Sequence, residues 1–295
     1  MKFSKGFTLA ELAIAMVIIA LLLAGSMLPL TAQIDIRKIS DTQRIMDGVK
    51  DAIIGFALAN GRLPCPANGA LATGTTNAGT EQLNVAGTSC AVSQGVVPWA
   101  TLGVPETDSW GRRFTYHVAP AFADAISLAT YSTSTALTVP ASPGNQTTCT
   151  PTPSPVQSSF ALCSLGDAAV LTRSPSATAA VPMGTAVAAV LISPGKNGYG
   201  GWQTNGIQLT PLPTNDDEAS NVNGTTTVPA SVLGTGGYVQ YAFFSRDQTP
   251  SASGCVDPAP GAAGGSSPLC EFDDLVVMIS APTLISRMVA AGKLP

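Results

Sequence analysis

The chain opens with a nearly uninterrupted run of apolar residues over positions 7–28, in which Glu11 is the one charged residue. Two lysines, Lys2 and Lys5, precede this run. A helix of roughly 20 apolar residues rises about 30 Å, which is the thickness of the hydrocarbon layer of a membrane. Basic residues before such a helix favour a cytoplasmic N-terminus. The pattern therefore predicts a membrane-spanning helix over about 7–28, with the rest of the chain on the outer side of the membrane.

The hydrophobic pattern changes after residue 30 but keeps the spacing of a helix. A mostly apolar stripe recurs at steps of three and four, and it is formed by Ile39, Thr42, Met46, Val49, Ile53 and Phe56. This spacing predicts an amphipathic helix over about 33–60, continuous with the first helix and ending near Asn60 and Gly61. The first half is expected to lie in lipid or in the core of a filament. The second half is expected to pack on a globular domain over 63–295.

Short apolar runs bounded by glycine and proline clusters predict the strands of that domain. They lie near residues 114–118, 186–193, 238–244 and 272–279, and a short amphipathic segment follows at 282–288. Residues from about 120 to about 180 are low in charge and rich in Ala, Ser, Thr and Pro. This composition predicts an irregular insertion over about 120–180.

Composition agrees with a loop-rich globular part. Only 11% of the 295 residues are charged, and the chain holds 29 glycines and 23 prolines. This glycine and proline content indicates many turns but stays below the level that is typical of disorder. The net charge of −4, without any run of Lys or Arg, argues against a nucleic-acid partner.

The six cysteines fall into three local pairs, which are Cys65 with Cys90, Cys149 with Cys163 and Cys255 with Cys270. No C-x-x-C motif occurs, and the chain has a single histidine, which argues against a zinc site. An even number of cysteines outside the membrane favours disulfides. Six cysteines allow 15 pairings. We predict nearest-neighbour pairing, because each pair brackets a Gly/Ser/Thr/Pro-rich loop that a disulfide would restrain.

Glu11 needs a partner if it lies in lipid, because a carboxylate there costs about 2.5–3.5 kcal/mol on insertion scales. No Lys or Arg occurs between Lys5 and Arg37. Cleavage between Gly6 and Phe7 would create an α-amine at Phe7, four residues from Glu11. The amine of one subunit would then neutralise the Glu11 carboxylate of the next.

The segment Gly6-Phe7-Thr8-Leu9-Ala10-Glu11 resembles the cleavage and methylation site of type IV prepilins and type II secretion pseudopilins. The resemblance implies that residues 1–6 are a basic leader, that a prepilin peptidase cuts after Gly6 and that the amine of Phe7 is methylated. It also implies that Glu11 guides the subunit into a helical filament. The partners implied are other pilin or pseudopilin subunits, an inner-membrane assembly platform and membrane lipid.

A second resemblance concerns the fold. Asp108, Trp110, Gly111 and Tyr116 resemble the pseudopilin pattern D-x-W-G-x-x-x-x-Y, which opens the first strand after the helix in that family. The expected class is α+β, with a long N-terminal helix over 7–62 packed on a mainly antiparallel β-sheet, loop-rich and stapled by disulfides.

Acidic residues in the C-terminal half predict a weaker site. The order strand, glycine turn, acidic loop, strand resembles major pseudopilins, in which a loop there binds calcium. The hard oxygen ligands suited to Ca²⁺ are Asp216, Asp217, Glu218, Asp273 and Asp274. Their spacing fits no EF-hand, and Lys196-Asn197 stands where that family's loop often has an acid. The alternative is that these are solvated turn acids and strand-capping aspartates without a metal.

Catalysis is not expected. The sequence has no G-x-S-x-G, H-E-x-x-H or P-loop motif, and His117, its one histidine, falls in a predicted strand. No cofactor other than calcium is expected.

The sequence thus predicts a filament subunit held in the bacterial inner membrane, with a periplasmic C-terminal domain. Its size and insertion favour a minor pilin, and a type II secretion pseudopilin is the first alternative. A secretory signal peptide cut near Ala24–Ser26 is another, although Glu11 interrupts its apolar core and the run is long for such a signal. The chain would then be a periplasmic ligand-binding or hydrolase domain, as it would be with a plain anchor.

Overall fold

A computed structural model provides the structure of the protein. It describes residues 8–124, 158–162, 164–174, 177–212, 216–224 and 239–294. For residues 21–32, 177–178 and 216 it describes the backbone only. The predicted leader, Gly6, Phe7 and both members of the pair Cys149 and Cys163 lie outside the described residues.

One long helix, α1 (Leu9–Asn60), forms the N-terminal part of the fold. Thr8 caps its start, because the Thr8 hydroxyl accepts a hydrogen bond from the backbone N–H of Glu11. Gly61 ends the helix in the left-handed region with a φ of 69°, and its N–H donates to the carbonyl oxygen of Ala57. The two predicted helices are therefore continuous and end where the sequence indicated. Over the residues that the structure describes, no helix is both long and apolar enough to cross a membrane.

The predicted stripe on the second half of α1 is the face that packs. Thr42, Met46, Val49 and Ile53 are fully buried on it. It lies against the C-terminal helix α5 (Ala281–Ala290), whose buried Leu284 belongs to the same core.

Eleven further elements lie between α1 and α5 in the described part of the chain. They are β1 (Gln94–Val96), α2 (Trp99–Leu102), β2 (Arg112–Arg113), β3 (Thr115–Val118), α3 (Pro120–Ala123), β4 (Ala168–Ser174), β5 (Ala177–Ser193), β6 (Trp202–Gln203), α4 (Asp216–Asn223), β7 (Tyr241–Phe244) and β8 (Leu275–Ser280).

Six of these strands form one sheet in the order β1-β3-β5-β4-β7, with β8 added to β5. The long strand β5 organises it, because its first part pairs with β4 and its last residues pair with both β3 and β8. All pairs are antiparallel except β4 with β7, which is parallel. The strands β2 and β6 pair separately. The expected mixed fold of helix and mainly antiparallel sheet is confirmed.

Several boundaries differ from the sequence prediction. Residues 168–174 and 177–180, inside the stretch of about 120–180 predicted to be an insertion, form β4 and the beginning of β5. Their Ala-rich composition hides a strand whose residues 168–171 are buried on both faces. The strand predicted at 238–244 begins at Tyr241, and the one predicted at 272–279 begins at Leu275.

Two disulfides staple the loops around the sheet. Cys65 is bonded to Cys90, and Cys255 is bonded to Cys270. Both are nearest-neighbour pairs, as predicted. The third predicted pair lies outside the described residues.

Asp108 of the D-x-W-G segment fixes the turn that leads into β2 and β3. Its carboxylate accepts hydrogen bonds from the backbone N–H groups of Trp110 and Arg112, each at 2.9 Å. The hydroxyl of Ser193 at the end of β5 donates to the second oxygen at 2.7 Å. Tyr116 is buried, and its hydroxyl donates to the carbonyl oxygen of Pro64. The segment therefore joins the turn before β2 to the end of β5 and anchors β3 to the loop at Pro64.

Candidate functional site

Glu11 lies in the first turn of α1 and forms a capping box with Thr8. One oxygen of its carboxylate accepts hydrogen bonds from the Thr8 backbone N–H at 2.8 Å and from the Thr8 hydroxyl at 2.9 Å. The position is favourable for an anion, since helix N-termini carry partial positive charge. Within the described part of the chain, Glu11 has no ion pair with a basic side chain.

The apolar side chains around Glu11 have no packing partner in the described structure. Leu9 is 89% exposed, Ile14 is 61% exposed and Met16 is 64% exposed. A contiguous apolar surface of this kind on a protein indicates contact with a membrane or with another protein. We call residues 8–20 the apolar arm. The fold of the described domain does not use it.

The second candidate site lies between α4 and the segment before β8, where the structure separates the predicted acidic residues into two groups. Asp217 and Glu218 are neighbours on α4, and both are buried. Asp217 receives a hydrogen bond at 2.7 Å from Arg173 on one oxygen and from Arg246 on the other. Two guanidinium groups therefore balance its charge, and Asp217 does not join the other predicted calcium ligands.

Arg246 extends this ion-paired group. It also contacts the buried carboxylate of Asp257 at 3.3 Å, and it donates to the carbonyl oxygen of Cys270 at 3.0 Å. Its guanidinium group stacks on the ring of Phe272 at 4.5 Å. We call Arg173, Asp217, Arg246 and Asp257 the paired cluster. Its two positive and two negative charges cancel, as burial requires.

Glu218 faces a different environment, together with Asp273 and Asp274. One carboxylate oxygen from each of the three lies within 4.8 Å of the others. We call these three residues the carboxylate cluster. Among the described residues, no Lys or Arg makes an ion pair with any of them.

Backbone and amide groups orient these carboxylates. Asn197 donates from its side chain to Glu218 at 3.0 Å and from its backbone N–H to Asp273 at 2.7 Å. Asn221 donates from its side chain to Asp274 at 2.9 Å. The sequence prediction named neither asparagine as a site residue. The turn cluster around Asn197 was the available signal, because it precedes the acidic residues.

Two oxygens of the carboxylate cluster have no hydrogen-bond partner in the part of the chain described. They are Oε2 of Glu218 and Oδ1 of Asp273, and both are inaccessible to solvent. Burial raises the pKa of the Glu218 carboxyl to about 7 and that of Asp273 to about 6. Burial raises the pKa of Asp274 well above its usual range, and the neighbouring Glu218 adds to this effect. Burial raises the pKa values of Asp273 and Asp274 more than the charges of Arg112 and Arg246 lower them, and a divalent cation would supply a positive charge in direct contact with the carboxylates.

The turn at 194–201 brings Asn197 to the cluster and carries Lys196 away from it. Gly195 has a φ of 60°, and a Cβ there would lie 2.4 Å from the carbonyl oxygen of Asp273. Only glycine therefore permits this approach to the start of β8. The ammonium group of Lys196 instead contacts Asp35 on α1 at 2.7 Å. The lysine that stood in place of an acid in the sequence does not occupy the site.

The remaining candidates lie elsewhere. The side chain of Asp216 falls outside those described. His117 is fully buried in β3, with Nε2 at 3.0 Å from the carboxylate of Asp167 and with Tyr241 and Phe243 against its ring. This setting is that of a core residue, and the expectation that the chain is not an enzyme stays a prediction.

Residues 1–27 match the family model of the prokaryotic N-terminal methylation motif, the signal of type IV prepilins and pseudopilins. The matched stretch contains Gly6, Phe7 and Glu11. No curated protein and no solved structure matches the chain. The resemblance found in the sequence is therefore confirmed over the first 27 residues.

Proposed function

We propose that this chain is a subunit of a type IV pilus-like filament, and more specifically a minor pilin. The observation that carries the proposal is the methylation motif at residues 1–27, which runs into a capped helix with an exposed apolar arm. A prepilin peptidase would remove residues 1–6, and the mature chain would begin at Phe7. The arm would anchor the subunit in the inner membrane before assembly, with the domain in the periplasm.

Assembly would transfer the apolar arm from lipid into a bundle of related helices. Little hydrophobic free energy changes in this transfer, because close helix packing replaces contact with lipid. Glu11 would set the register, because its carboxylate is most favourably placed beside the Phe7 amine of a neighbouring subunit. A subunit in any other register leaves both charges unpaired in an apolar environment, which disfavours it.

A type II secretion pseudopilin is the main alternative role. It would use the same arm, the same cleavage and the same register contact. The chain length of 295 residues and the long stretch of low charge before β4 support a minor subunit over a bulk one.

Mass spectrometry of the protein from its native host tests the processing step. We expect the mature chain to begin at Phe7 and to carry one added methyl group on its amine. Cells without the prepilin peptidase provide the control and should retain residues 1–6. An unprocessed start in the wild-type cells, or trimming near residue 26, would contradict the proposal and indicate a plain anchor or a secretory signal.

We also propose that the carboxylate cluster binds Ca²⁺. The support is the close approach of three carboxylates together with the two buried oxygens that lack a partner. Calcium takes six to eight oxygen ligands, and water would supply those that Glu218, Asp273 and Asp274 do not. Because these residues belong to α4 and the segment before β8, the ion would bind the two together and hold the turn at 194–201 through Asn197.

Calorimetric titration of the full-length protein in detergent micelles tests this site. We expect Ca²⁺ to bind once per chain and more tightly than Mg²⁺, since Mg²⁺ demands a stricter octahedral geometry. The variant Asp274→Asn should lose binding, whereas Asp247→Asn, which removes an exposed carboxylate elsewhere, should retain it. Equal Ca²⁺ binding by wild type and Asp274→Asn would refute the site.

A further inference from the structure

An open cleft with a volume of about 900 Å³ lies beside β1, outside both candidate sites. One wall comes from Asn68, Gly69 and Gln82, which precede β1. Other parts of the lining come from Trp202 of β6 and from Asn223 at the end of α4. A volume of this size is at the upper end of the range for small-molecule sites, about 300–1,000 Å³.

Among the described residues, those that line the cleft carry no charge. Their amides and hydroxyls belong to Asn68, Gln82, Ser93, Gln94, Thr115, Gln208, Asn223 and Tyr241. Amides and hydroxyls offer both donors and acceptors. A phosphate, a sulfate or a carboxylate would find no cation here, and a cationic ligand would find no carboxylate. The lining therefore fits a neutral ligand rich in groups that both donate and accept hydrogen bonds.

Some of these amides are held by hydrogen bonds to the backbone, and others have no such partner among the described residues. Gln94 donates from Nε2 to the carbonyl oxygen of Val222 at 2.7 Å, and Gln208 donates to the carbonyl oxygen of Gly200 at 2.8 Å. Each bond uses the N–H group of the glutamine side chain and orients it. The amide oxygen of each glutamine can then accept a hydrogen bond from a ligand. The side chains of Gln82 and Asn223 make no hydrogen bond to any other described residue.

Two aromatic side chains, Trp202 and Tyr241, also line the cleft, and both are partly exposed. The indole of Trp202 lies against Gly69, where a Cβ would be 2.7 Å from the ring. Because Gly69 has no side chain, the Trp202 ring packs directly on its backbone, and this contact fixes the position of the ring. Aromatic rings offer an apolar surface that can pack against the C–H face of a sugar ring.

We propose that this cleft binds a neutral oligosaccharide. Sugars combine dense hydroxyl groups with apolar C–H faces, and the lining supplies partners for both. A peptide added as an extra strand is the less suitable ligand, because the outer edge of β1 is already paired. Val96 exchanges backbone hydrogen bonds with Ala67, at 2.8 Å and 3.0 Å, and these close that edge.

An array of neutral, sialylated and sulfated oligosaccharides, together with uncharged peptides, tests the inference. The probe is the full-length protein in a zwitterionic detergent, since a detergent with a sugar headgroup would compete. We expect retention of neutral oligosaccharides only. Retention of none of them, or a preference for charged glycans or for peptides, would overturn the proposal.

Substitutions of lining residues then test whether the oligosaccharide binds in the cleft. Measured against the best neutral oligosaccharide, Gln82→Ala and Asn223→Ala should each weaken the affinity about fivefold, the loss expected for one hydrogen bond. Gln43→Ala, which removes an exposed amide on α1, should bind as the wild type does. Gln82→Glu keeps the size of the side chain and adds a charge, so it should also bind more weakly. Wild-type affinity in all three cleft variants would refute the site.

Discussion

Both halves of α1 carry apolar residues, but those residues have opposite surroundings in the two halves. In the apolar arm Leu9 is 89% exposed, whereas Met46 and Ile53 in the second half are fully buried against the sheet and α5. The difference shows that apolar residues in one continuous helix serve two separate purposes. The second half supports the fold of its own chain, and the arm is available to a membrane or to other subunits. We call the second half of α1, together with the domain that packs on it, the body. Changes in the body should therefore alter stability, and changes in the arm should alter assembly.

The largest effect on the body is expected from Arg246→Met. This change removes one of two arginines from the buried paired cluster and leaves Asp257 without a guanidinium partner. Breaking a buried ion pair in this way typically lowers the free energy of unfolding by about 3–5 kcal/mol. Urea unfolding of the full-length protein in micelles measures it.

Arg44→Met is the matched control, because Arg44 is exposed on α1 and pairs only at the surface with Asp41. It should change the free energy of unfolding by less than about 0.5 kcal/mol. If the two variants were equally stable, the paired cluster would not hold the body together.

Ile53→Ala should have the next largest effect, and it tests the contrast within α1 directly. Truncating this fully buried side chain should lower the free energy of unfolding by about 2–5 kcal/mol. Ile14→Ala in the apolar arm, at a residue 61% exposed, should stay within about 0.5 kcal/mol of wild type. The same unfolding experiment compares the two variants, and a large loss for Ile14→Ala would remove the distinction between the two halves.

Calcium should stabilise the body by a smaller amount. At a free Ca²⁺ concentration about 100-fold above the dissociation constant, the free energy of unfolding should rise by about 2.7 kcal/mol. A chelator should reverse the effect. Equal unfolding midpoints with Ca²⁺ and with chelator would contradict the proposed ion.

The carboxylate cluster also predicts that the stability of the calcium-free protein depends on pH. The folded-state pKa values of Glu218 and Asp273 are raised to about 7 and about 6, whereas the unfolded chain ionises near 4. The unfolded state thus releases these protons first, and stability should fall as the pH rises from about 4 to about 7. Thermal unfolding across this range measures it. The fall should be smaller in Glu218→Gln and in wild type saturated with Ca²⁺.

Lys196→Ala should have the smallest effect. The contact between Lys196 and Asp35 joins the turn at 194–201 to the second half of α1, but the Lys196 side chain is 64% exposed. An ion pair of this kind contributes about 0–1 kcal/mol, and the loss should shrink further at high salt. A loss above about 2 kcal/mol would show that the two parts of the molecule are more tightly coupled than the structure indicates.

Local patterns were enough to predict α1 with its end at Gly61, the amphipathic segment that forms α5 and the two observed disulfides. Each depends on residues near one another in sequence. The paired cluster could not be predicted in this way. Arg173 lies on β4, Arg246 follows β7 and Asp217 lies on α4, so the three side chains meet only in the folded protein. The acidic run at 216–218 looked like one ligand set, whereas α4 directs Asp217 and Glu218 to different partners.

The β-sheet shows the same limit. Strand β4 was missed because alanine and serine are weak indicators of strands, and only its pairing with β5 and β7 stabilises it. The cleft beside β1 was also missed, since its amides come from five separate segments of the chain.

Incorporation of the variant Glu11→Ala into filaments of the native host tests the central claim most directly. Sheared filaments and membrane fractions are probed for the protein, with Asp247→Ala as a control that removes an exposed acid from the body. We predict that Glu11→Ala reaches the membrane at the wild-type level but is absent from filaments, while the control is incorporated normally. Normal incorporation of Glu11→Ala would contradict the proposed role of this carboxylate in assembly.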